Sequence, residues 1–182
     1  MERNVVLIAL FTAMIAALGL LPKLTLASGI PITAQSMGVM LCGTVLGAKR
    51  GALAVLLFLL LVAAGLPLLT GGRGGLGVFT TPWAGFYIGF PLAAFVAGLV
   101  MQTWQRGNIT VIAIVAAVIG GIGAMYLAAV PYYMLMKPAG LGESLLTVMA
   151  PFVPGDLIKA VVAGLITGAL YKARPASVLS RS

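Results

Sequence analysis

Residues 151–159, PFVPGDLIK, place two of the few charged residues of this chain at the start of an apolar segment. Pro154 and Gly155 predict the beginning of a helix, with free backbone N–H groups in its first turn. Asp156 and Lys159 are three residues apart, so on that helix their side chains lie on one face. The stretch therefore predicts a carboxylate and an ammonium group that point into the same space, and the remaining chain is expected to surround that space.

The composition of the chain is that of a membrane protein. Of its 182 residues, 62% are hydrophobic and only 8% are charged, and the mean hydropathy is +1.17. Soluble domains have about 25% charged residues. The net charge of +8 comes from basic residues scattered between apolar runs, where they orient the chain or meet anionic lipid headgroups. This pattern does not predict a nucleic-acid site.

Few side chains in this sequence suit catalysis or metal binding. Histidine, the commonest metal ligand and general base, is absent. The acidic residues are Glu2, Glu143 and Asp156, which are too dispersed for paired-carboxylate chemistry. Cys42 lies in an apolar run and, as the single cysteine, has no intramolecular disulfide partner. We therefore expect a protein without a cofactor that is not an enzyme.

The N-terminal sequence MERNVVLIALFTAMIAALG has the charged start and apolar run of a secretory signal. No good small-residue cleavage site follows it. The uncharged run 4–22 is close to the ~20 residues that span a bilayer. We interpret it as a retained first membrane helix.

Charges and prolines divide the chain into six predicted membrane spans within a single domain, residues 1–182. Pro91 predicts a kink in the fourth span, and Pro131 predicts the end of the fifth. The predicted fold class is all-α, an integral membrane bundle of six transmembrane helices with both termini cytoplasmic. The spans are residues 5–21, 32–48, 51–66 and 83–101, a segment within 109–136, and 153–171.

The basic residues predict the orientation of this bundle. The termini and the turns after the second and fourth spans share one side, which holds seven basic residues against three on the other. The positive-inside rule makes that side cytoplasmic. The two sets are Arg3, Lys49, Arg50, Arg106, Lys172, Arg174 and Arg181, and then Lys23, Arg73 and Lys137. The loops 22–31, 67–82 and 131–152 then lie outside with Asp156, while AKRG forms a tight cytoplasmic turn.

The outer loop 67–82 has five glycines between Gly71 and Gly77, around Arg73. Glycine lets a backbone approach a ligand closely, and it equally suits a flexible loop. The sequence GGRGG does not match a phosphate-binding loop, because no Gly-Lys-Ser/Thr follows it.

Other polar and aromatic residues accompany Asp156 and Lys159 on the predicted outer side, and each has an ordinary explanation. The charged pair can neutralise itself, capping suits Thr33 or Ser36, and an interfacial belt suits the aromatic residues. A small-molecule pocket explains them together. The set comprises Thr33, Gln35, Ser36, Trp83, Phe86, Tyr87, Tyr126, Tyr132 and Tyr133.

Small residues recur at helix-packing spacing in several predicted spans. In lipid, such stripes let helices approach closely. We expect most of them to pack within the bundle. For the stripe Ala9, Ala13 and Ala17 on the first span, the alternative is that it faces another subunit. The other stripes are Gly43, Gly47 and Gly51; Gly85 and Gly89; and Gly164 and Gly168.

Three stretches, in this order and spacing, resemble the BioY family, the biotin-specific substrate-binding subunits of energy-coupling factor transporters. They are PITAQSMGVMLCGTVLGAKRGALAVLLFLLLVAAGLP, TGGRGGLGVFTTPWAGFYIGF and PFVPGDLIKA, and the resemblance covers residues 5–172. It implies a six-helix protein that binds biotin from the outer side and works with a transmembrane coupling subunit and two cytoplasmic ATPase subunits. The sequence has no Walker motif, which fits a subunit that binds rather than hydrolyses.

The resemblance also implies roles for particular residues. It implies that Asp156 and Lys159 contact biotin and that the stripe on the first span docks the coupling subunit. Asp156 suits the ureido N–H groups, and Lys159 suits a carbonyl or carboxylate. Where many members have GPTGGYLxGF, this chain has TPWAGFYIGF, which reduces backbone freedom there. The full predicted site is Asp156, Lys159, Gln35, Arg73, Trp83 and Tyr87.

Two other functions stay open at this point. A subunit specific for a different vitamin would have the same architecture, and a small secondary transporter or channel would work alone. An intramembrane enzyme is the function that fits the sequence least, because the chain lacks histidine and a suitable acid pair. The predicted location is the inner (cytoplasmic) cell membrane.

Overall fold

The computed structural model describes residues 2–21, 24–25 and 31–181, and α-helices dominate that part of the chain. This confirms the all-α prediction. Two short strands, β1 (Leu24–Thr25) and β2 (Pro31–Ile32), pair antiparallel, while most of the predicted loop 22–31 falls outside the described residues. The helices are α1 (Glu2–Gly19), α2 (Gln35–Leu46), α3 (Ala48–Ala63), α4 (Ala84–Thr103), α5 (Ile109–Val118), α6 (Met125–Met136), α7 (Leu141–Val148) and α8 (Val153–Ala173).

Four helical segments in the described chain are long and apolar enough to cross a membrane. They are Glu2–Gly19, Ala84–Thr103, Ile109–Met136 and Val153–Ala173. The predicted spans 32–48 and 51–66 correspond to α2 and α3, which have 12 and 16 residues. Length and composition alone therefore establish a membrane protein with four candidate spans.

The turn between α2 and α3 is tighter than the sequence predicts. Gly47 alone separates the two helices, and its φ of 85° is a conformation that favours glycine. The predicted tight turn is present, but Gly47 forms it and not AKRG, because Lys49 and Arg50 lie in the first turn of α3. A single residue reverses the chain direction here because glycine has no Cβ to clash in that conformation.

The predicted end of the fifth span near Pro131 is also wrong. Pro131 lies inside α6, which continues to Met136, and Pro91 lies inside α4. Membrane helices tolerate proline because neighbouring groups and local adjustments satisfy the freed backbone. A π-helix, Ile119–Ala124, joins α5 to α6 and makes the segment continuous.

Small residues bring the helices of the bundle into close contact. A Cβ atom added at Gly43 would lie 2.5 Å from the Ala94 carbonyl of α4, and one at Gly85 would lie 2.8 Å from the Ala129 Cα of α6. Gly164 of α8 packs against Ile114 of α5. The packing interpretation is confirmed at these positions. Cys42 is a free, buried residue in the same core.

The two ends of the bundle collect different parts of the chain. At one end Arg3 donates a hydrogen bond to the Ala176 carbonyl (2.8 Å), and Arg181 donates to the Trp104 carbonyl (2.7 Å). Ser180 donates to the carbonyl of Thr44, close to the α2–α3 turn. The C-terminal segment therefore meets the α2–α3 turn and the α4–α5 loop, and the N-terminal Arg3 meets the C-terminal segment, so these parts of the chain lie at one end of the molecule.

Candidate ligand-binding site

A cavity of about 480 Å³ lies at the other end of the bundle, between the start of α2, the start of α4 and the start of α8. Its volume is in the range of small-molecule sites, and its walls combine aromatic with a few polar side chains. The aromatic residues of the wall are Trp83, Phe86, Tyr87, Phe90 and Phe152. The polar residues are Thr33, Ser36, Arg73, Asp156 and Lys159.

Asp156 and Lys159 form an ion pair within the first two turns of α8. The Lys159 Nζ lies 2.8 Å from the Asp156 Oδ1, and the two side chains are only 13% and 4% exposed. This confirms the prediction that they share a helix face. A buried ion pair is stable only when further hydrogen bonds satisfy its remaining polar atoms.

Two residues from other helices supply those hydrogen bonds. Ser36 of α2 donates to Asp156 Oδ1 (3.2 Å) and accepts from Lys159 Nζ (2.9 Å). Tyr126 of α6 donates its hydroxyl to Asp156 Oδ2 at 2.7 Å. The Asp156 carboxylate is therefore held by three donors from three different elements.

These contacts overturn two structural interpretations of the sequence. The N-cap of α2 is Ala34 and has no side-chain cap, so neither Thr33 nor Ser36 caps the helix. Tyr126 is 2% exposed and does not belong to an interfacial belt. Helix and loop patterns carry no signal for either contact, except that Tyr126 is an isolated polar group in a strongly apolar segment.

Two backbone N–H groups at the start of α8, where the sequence predicts free donors beside Asp156, are bonded to the preceding turn. The Asp156 N–H donates to the Phe152 carbonyl (2.9 Å), and the Val153 N–H donates to the Met149 carbonyl (3.0 Å). Pro154 has no N–H to donate. The turn that precedes α8 uses these donors, so the side chains provide the polar chemistry of the cavity.

The charged pair leaves part of its hydrogen-bonding capacity unused and available to a ligand. A carboxylate has about four acceptor positions, and an ammonium group has three donors. Asp156 uses two positions on Oδ1 and one on Oδ2, while Lys159 donates to Asp156 and Ser36. One acceptor position on Asp156 Oδ2 and one donor on Lys159 Nζ remain. That pair matches a ligand edge with an N–H group next to a carbonyl, as in an amide or a urea.

Arg73 brings a second positive charge to the cavity from the glycine-rich loop. Its Nη2 donates to the Tyr87 hydroxyl (3.0 Å), and its Nε donates to the Thr70 carbonyl (3.3 Å). The described residues provide it with no carboxylate partner. Gly71, Gly72 and Gly75 have φ values of 84°, 68° and 82°, so the loop is a defined turn that requires glycine.

Gln35 does not line the cavity. Its Nε2 donates to the carbonyls of Leu68 (2.9 Å) and Ile15 (3.3 Å), and its Oε1 accepts from the N–H and the hydroxyl of Thr70 (3.0 and 2.8 Å). These four bonds use the full capacity of an amide side chain. Gln35 therefore connects α1, α2 and the loop that carries Arg73.

The aromatic wall consists of two groups of contacting rings, one around Trp83 and one around Tyr87. The Trp83 ring packs against Phe86 and Phe152, at centroid distances of 6.4 and 6.2 Å. Tyr87 contacts Phe90 edge to face at 5.8 Å. The predicted residues Trp83 and Tyr87 thus lie on the cavity wall, together with Phe86, Phe90 and Phe152, which the predicted site omitted.

The fold and the cavity define a class of protein: an integral membrane protein of packed helices with a cavity of small-molecule size at one end. The BioY family model matches residues 2–176. The chain belongs to the BioY family, as its sequence motifs predict.

Similar proteins support this membership over nearly the full length. The chain is 50% identical to the biotin transporter BioY of Rhodobacter capsulatus, with 100% of both chains covered. It is 49% identical to the biotin transporter BioY of Rhizobium etli, with 95% of each covered. The crystal structure of the S-component for biotin from an ECF-type ABC transporter superposes with a TM-score of 0.84 at 30% identity, covering 94% of this chain and 92% of that one.

Proposed function

We propose that this chain is the membrane-embedded binding subunit that captures biotin from the outer side of the cytoplasmic membrane for uptake. The single observation that carries the proposal is the cavity itself. It combines the hydrogen-bonded Asp156–Lys159 pair with Arg73 and an aromatic wall, in a chain half identical to a biotin transporter. The chain binds and transports, and it is not an enzyme.

The groups of biotin suit the groups of this cavity. The ureido ring offers N–H donors beside a carbonyl, which match the free acceptor of Asp156 and the free donor of Lys159. The charge of Lys159 is balanced by Asp156, whereas Arg73 has no acidic partner in the described chain. The biotin carboxylate therefore binds at Arg73, and the thioether ring and aliphatic chain lie against the aromatic wall.

The site residues then divide into two groups. Asp156, Lys159, Arg73, Trp83 and Tyr87 contact the ligand, because their side chains line the cavity. Gln35 holds the loop through its four hydrogen bonds to the backbone and to Thr70. Its contribution to binding is to fix the position of Arg73.

The proposed topology has six spans within one domain and both termini in the cytoplasm. The spans are α1, α2, α3, α4, the continuous α5–α6 segment and α8. The basic residues Arg3, Lys49 and Arg181 all belong to the end that gathers the termini. α2 is shorter than the ~20 residues of a full span, so the cavity at its start is recessed from the outer surface.

Uptake is energised by a transmembrane coupling subunit and two cytoplasmic ATPase subunits. The neighbouring solved structure is the S-component of an ECF-type transporter. Ala9, Ala13 and Ala17 of α1 are exposed, unlike the glycines that pack inside the bundle. An exposed small-residue stripe lets another membrane helix approach closely, so this face is the proposed docking surface.

Replacing Ala13 with leucine is expected to weaken assembly with the coupling subunit and to leave biotin binding unchanged. The larger side chain separates the two helices, and such overpacking costs 1–3 kcal/mol, or roughly 10-fold in affinity. The measurement is recovery of the coupling subunit with the affinity-tagged chain. Ala64→Leu, the same change at another exposed alanine, is the matched control. Equal recovery with both variants would remove α1 from the interface.

The proposed function is tested by purifying the chain in detergent and measuring bound and added biotin. We expect biotin to co-purify or to bind in near-stoichiometric amount. A panel of tritiated vitamins tests specificity, and tight binding of another vitamin without biotin would contradict the proposal. Biotin uptake into liposomes that contain only this chain would instead support a solitary transporter.

A further inference from the structure

We infer that Tyr126 is a positioning residue of the ligand site, which orients the Asp156 carboxylate from behind without touching the ligand. This inference rests on the proposed function only for the identity of the ligand. The residue lies on α6, next to Met125 of the cavity wall and outside the three stretches that carry the sequence motifs. Its role follows from three observations on its contacts, its place in the helix and the number of donors around Asp156.

The contacts of Tyr126 lead to Asp156 and not to the cavity. Its hydroxyl donates to Asp156 Oδ2 at 2.7 Å, and its side chain is 2% exposed and absent from the cavity wall. The Phe86 ring packs edge to face on the Tyr126 ring at 5.4 Å. A buried tyrosine hydroxyl needs a partner, and this packing fixes the ring so that Asp156 is that partner.

The direction of the Tyr126 side chain depends on an unusual helix segment. Tyr126 is the second residue of α6, directly after the π-helix Ile119–Ala124. A π-helix has i to i+5 hydrogen bonds and adds a residue to a turn, which rotates all following side chains around the axis by about 100°. The π segment therefore sets the direction in which Tyr126 points.

Glycines let the π segment lie directly against neighbouring helices. A Cβ atom at Gly121 would lie 2.5 Å from Met40 Cε of α2, and one at Gly120 would lie 2.7 Å from Ala97 Cβ of α4. The sequence IGGIGA thus has two glycines at the places where the wider turn meets its neighbours. This packing holds the segment that aims Tyr126.

The donors around Asp156 explain what the tyrosine contributes. Lys159 and Ser36 both donate to Oδ1, whereas Tyr126 is the donor to Oδ2 among the described residues. Without it, the carboxylate is held through one oxygen and is free to rotate. With it, one acceptor position of Oδ2 is occupied and the other is left for a ligand N–H group.

Tyr126→Phe is expected to weaken biotin binding about 5-fold. Losing a direct hydrogen bond to a charged group costs roughly 10-fold or more in affinity, and the effect here is smaller because Tyr126 acts through Asp156. Tyr171→Phe, the same change on α8 beyond the cavity, is the matched control and is expected to bind normally. The decisive comparison is the double variant with Asp156→Asn. If Tyr126 acts through the Asp156 carboxylate, Tyr126→Phe has little further effect in that background. Equal losses in both backgrounds would overturn the inference and assign Tyr126 a general structural role.

Infrared spectroscopy of the purified chain provides a second measurement that needs no ligand. The sequence has only three acidic side chains, so the Asp156 carboxylate band is identified as the one that Asp156→Asn removes. We expect Tyr126→Phe to shift this band and Tyr171→Phe to leave it in place. An unshifted band would refute the contact. A shifted band in a chain that does not bind biotin would uphold the contact and reject the proposed function.

Discussion

Replacing Asp156 with asparagine is expected to weaken biotin binding by roughly 10- to 100-fold. The ligand N–H loses a hydrogen bond to a charged acceptor, which contributes about 1.5–3 kcal/mol or roughly 10- to 100-fold in affinity, and the unpaired Lys159 charge separately lowers the stability of the fold. Here Lys159 is only 13% exposed and its remaining partner is the Ser36 hydroxyl. The asparagine also places an amide group where the ligand N–H needs an acceptor. Equilibrium binding of tritiated biotin in detergent measures the effect.

Two further variants separate binding from folding in this experiment. Glu143→Gln makes the same chemical change at an exposed acid of α7 and is expected to bind like the original chain. The double variant Asp156→Asn, Lys159→Met has no unpaired charge, so we expect its thermal stability to recover while binding stays weak. Unchanged biotin affinity in Asp156→Asn would remove Asp156 from the site.

Replacing Arg73 with glutamine is expected to weaken biotin binding by roughly 10- to 100-fold, the range for a hydrogen bond to a charged group. The loss should be selective for the ligand's carboxylate. Biotinamide, in which that carboxylate is a neutral amide, is expected to bind Arg73→Gln and the original chain almost equally. The comparison works because Arg73 has no acidic partner in the described chain, whereas Lys159 does.

The outcome of the Arg73 experiment distinguishes two roles of this residue. Arg106→Gln removes an exposed arginine in the α4–α5 loop and is the control for the change in net charge. If biotin and biotinamide lose affinity equally in Arg73→Gln, the arginine acts by holding the loop through Tyr87 and Thr70. It would then not bind the carboxylate.

Local sequence patterns predicted most of the helices but not all of their ends, and they missed α7, which lies within the predicted loop 131–152. Prolines usually end helices because they lack an N–H group, and charged residues usually end membrane spans because they need water. In this chain Pro131 lies within α6, and Lys49 and Arg50 lie within the first turn of α3. Neighbouring helices and glycine contacts decide these ends, and no local pattern contains that information. The π segment between α5 and α6 is a feature of the same kind.

The candidate site was predictable where its residues are close in sequence. Asp156 and Lys159 share a helix face because any two residues three apart on a helix do so. Ser36 and Tyr126 are 120 and 30 residues from Asp156, and their hydrogen bonds require the packing of α2, α6 and α8. Gln35 was predicted to contact the ligand and does not line the cavity. Its amide group is bonded to the loop that carries Arg73.

The sequence by itself determined that this protein is helical and membrane-embedded, that it lacks the groups for common catalysis, and that its motifs are those of the BioY family. Composition and short-range spacing suffice for these conclusions, because the bilayer demands apolar helices and each motif is local. Only the tertiary structure decided which polar groups meet around Asp156. Those contacts join separate helices, and the direction of each side chain depends on how closely the helices pack and on a single added residue in the π-helical turn.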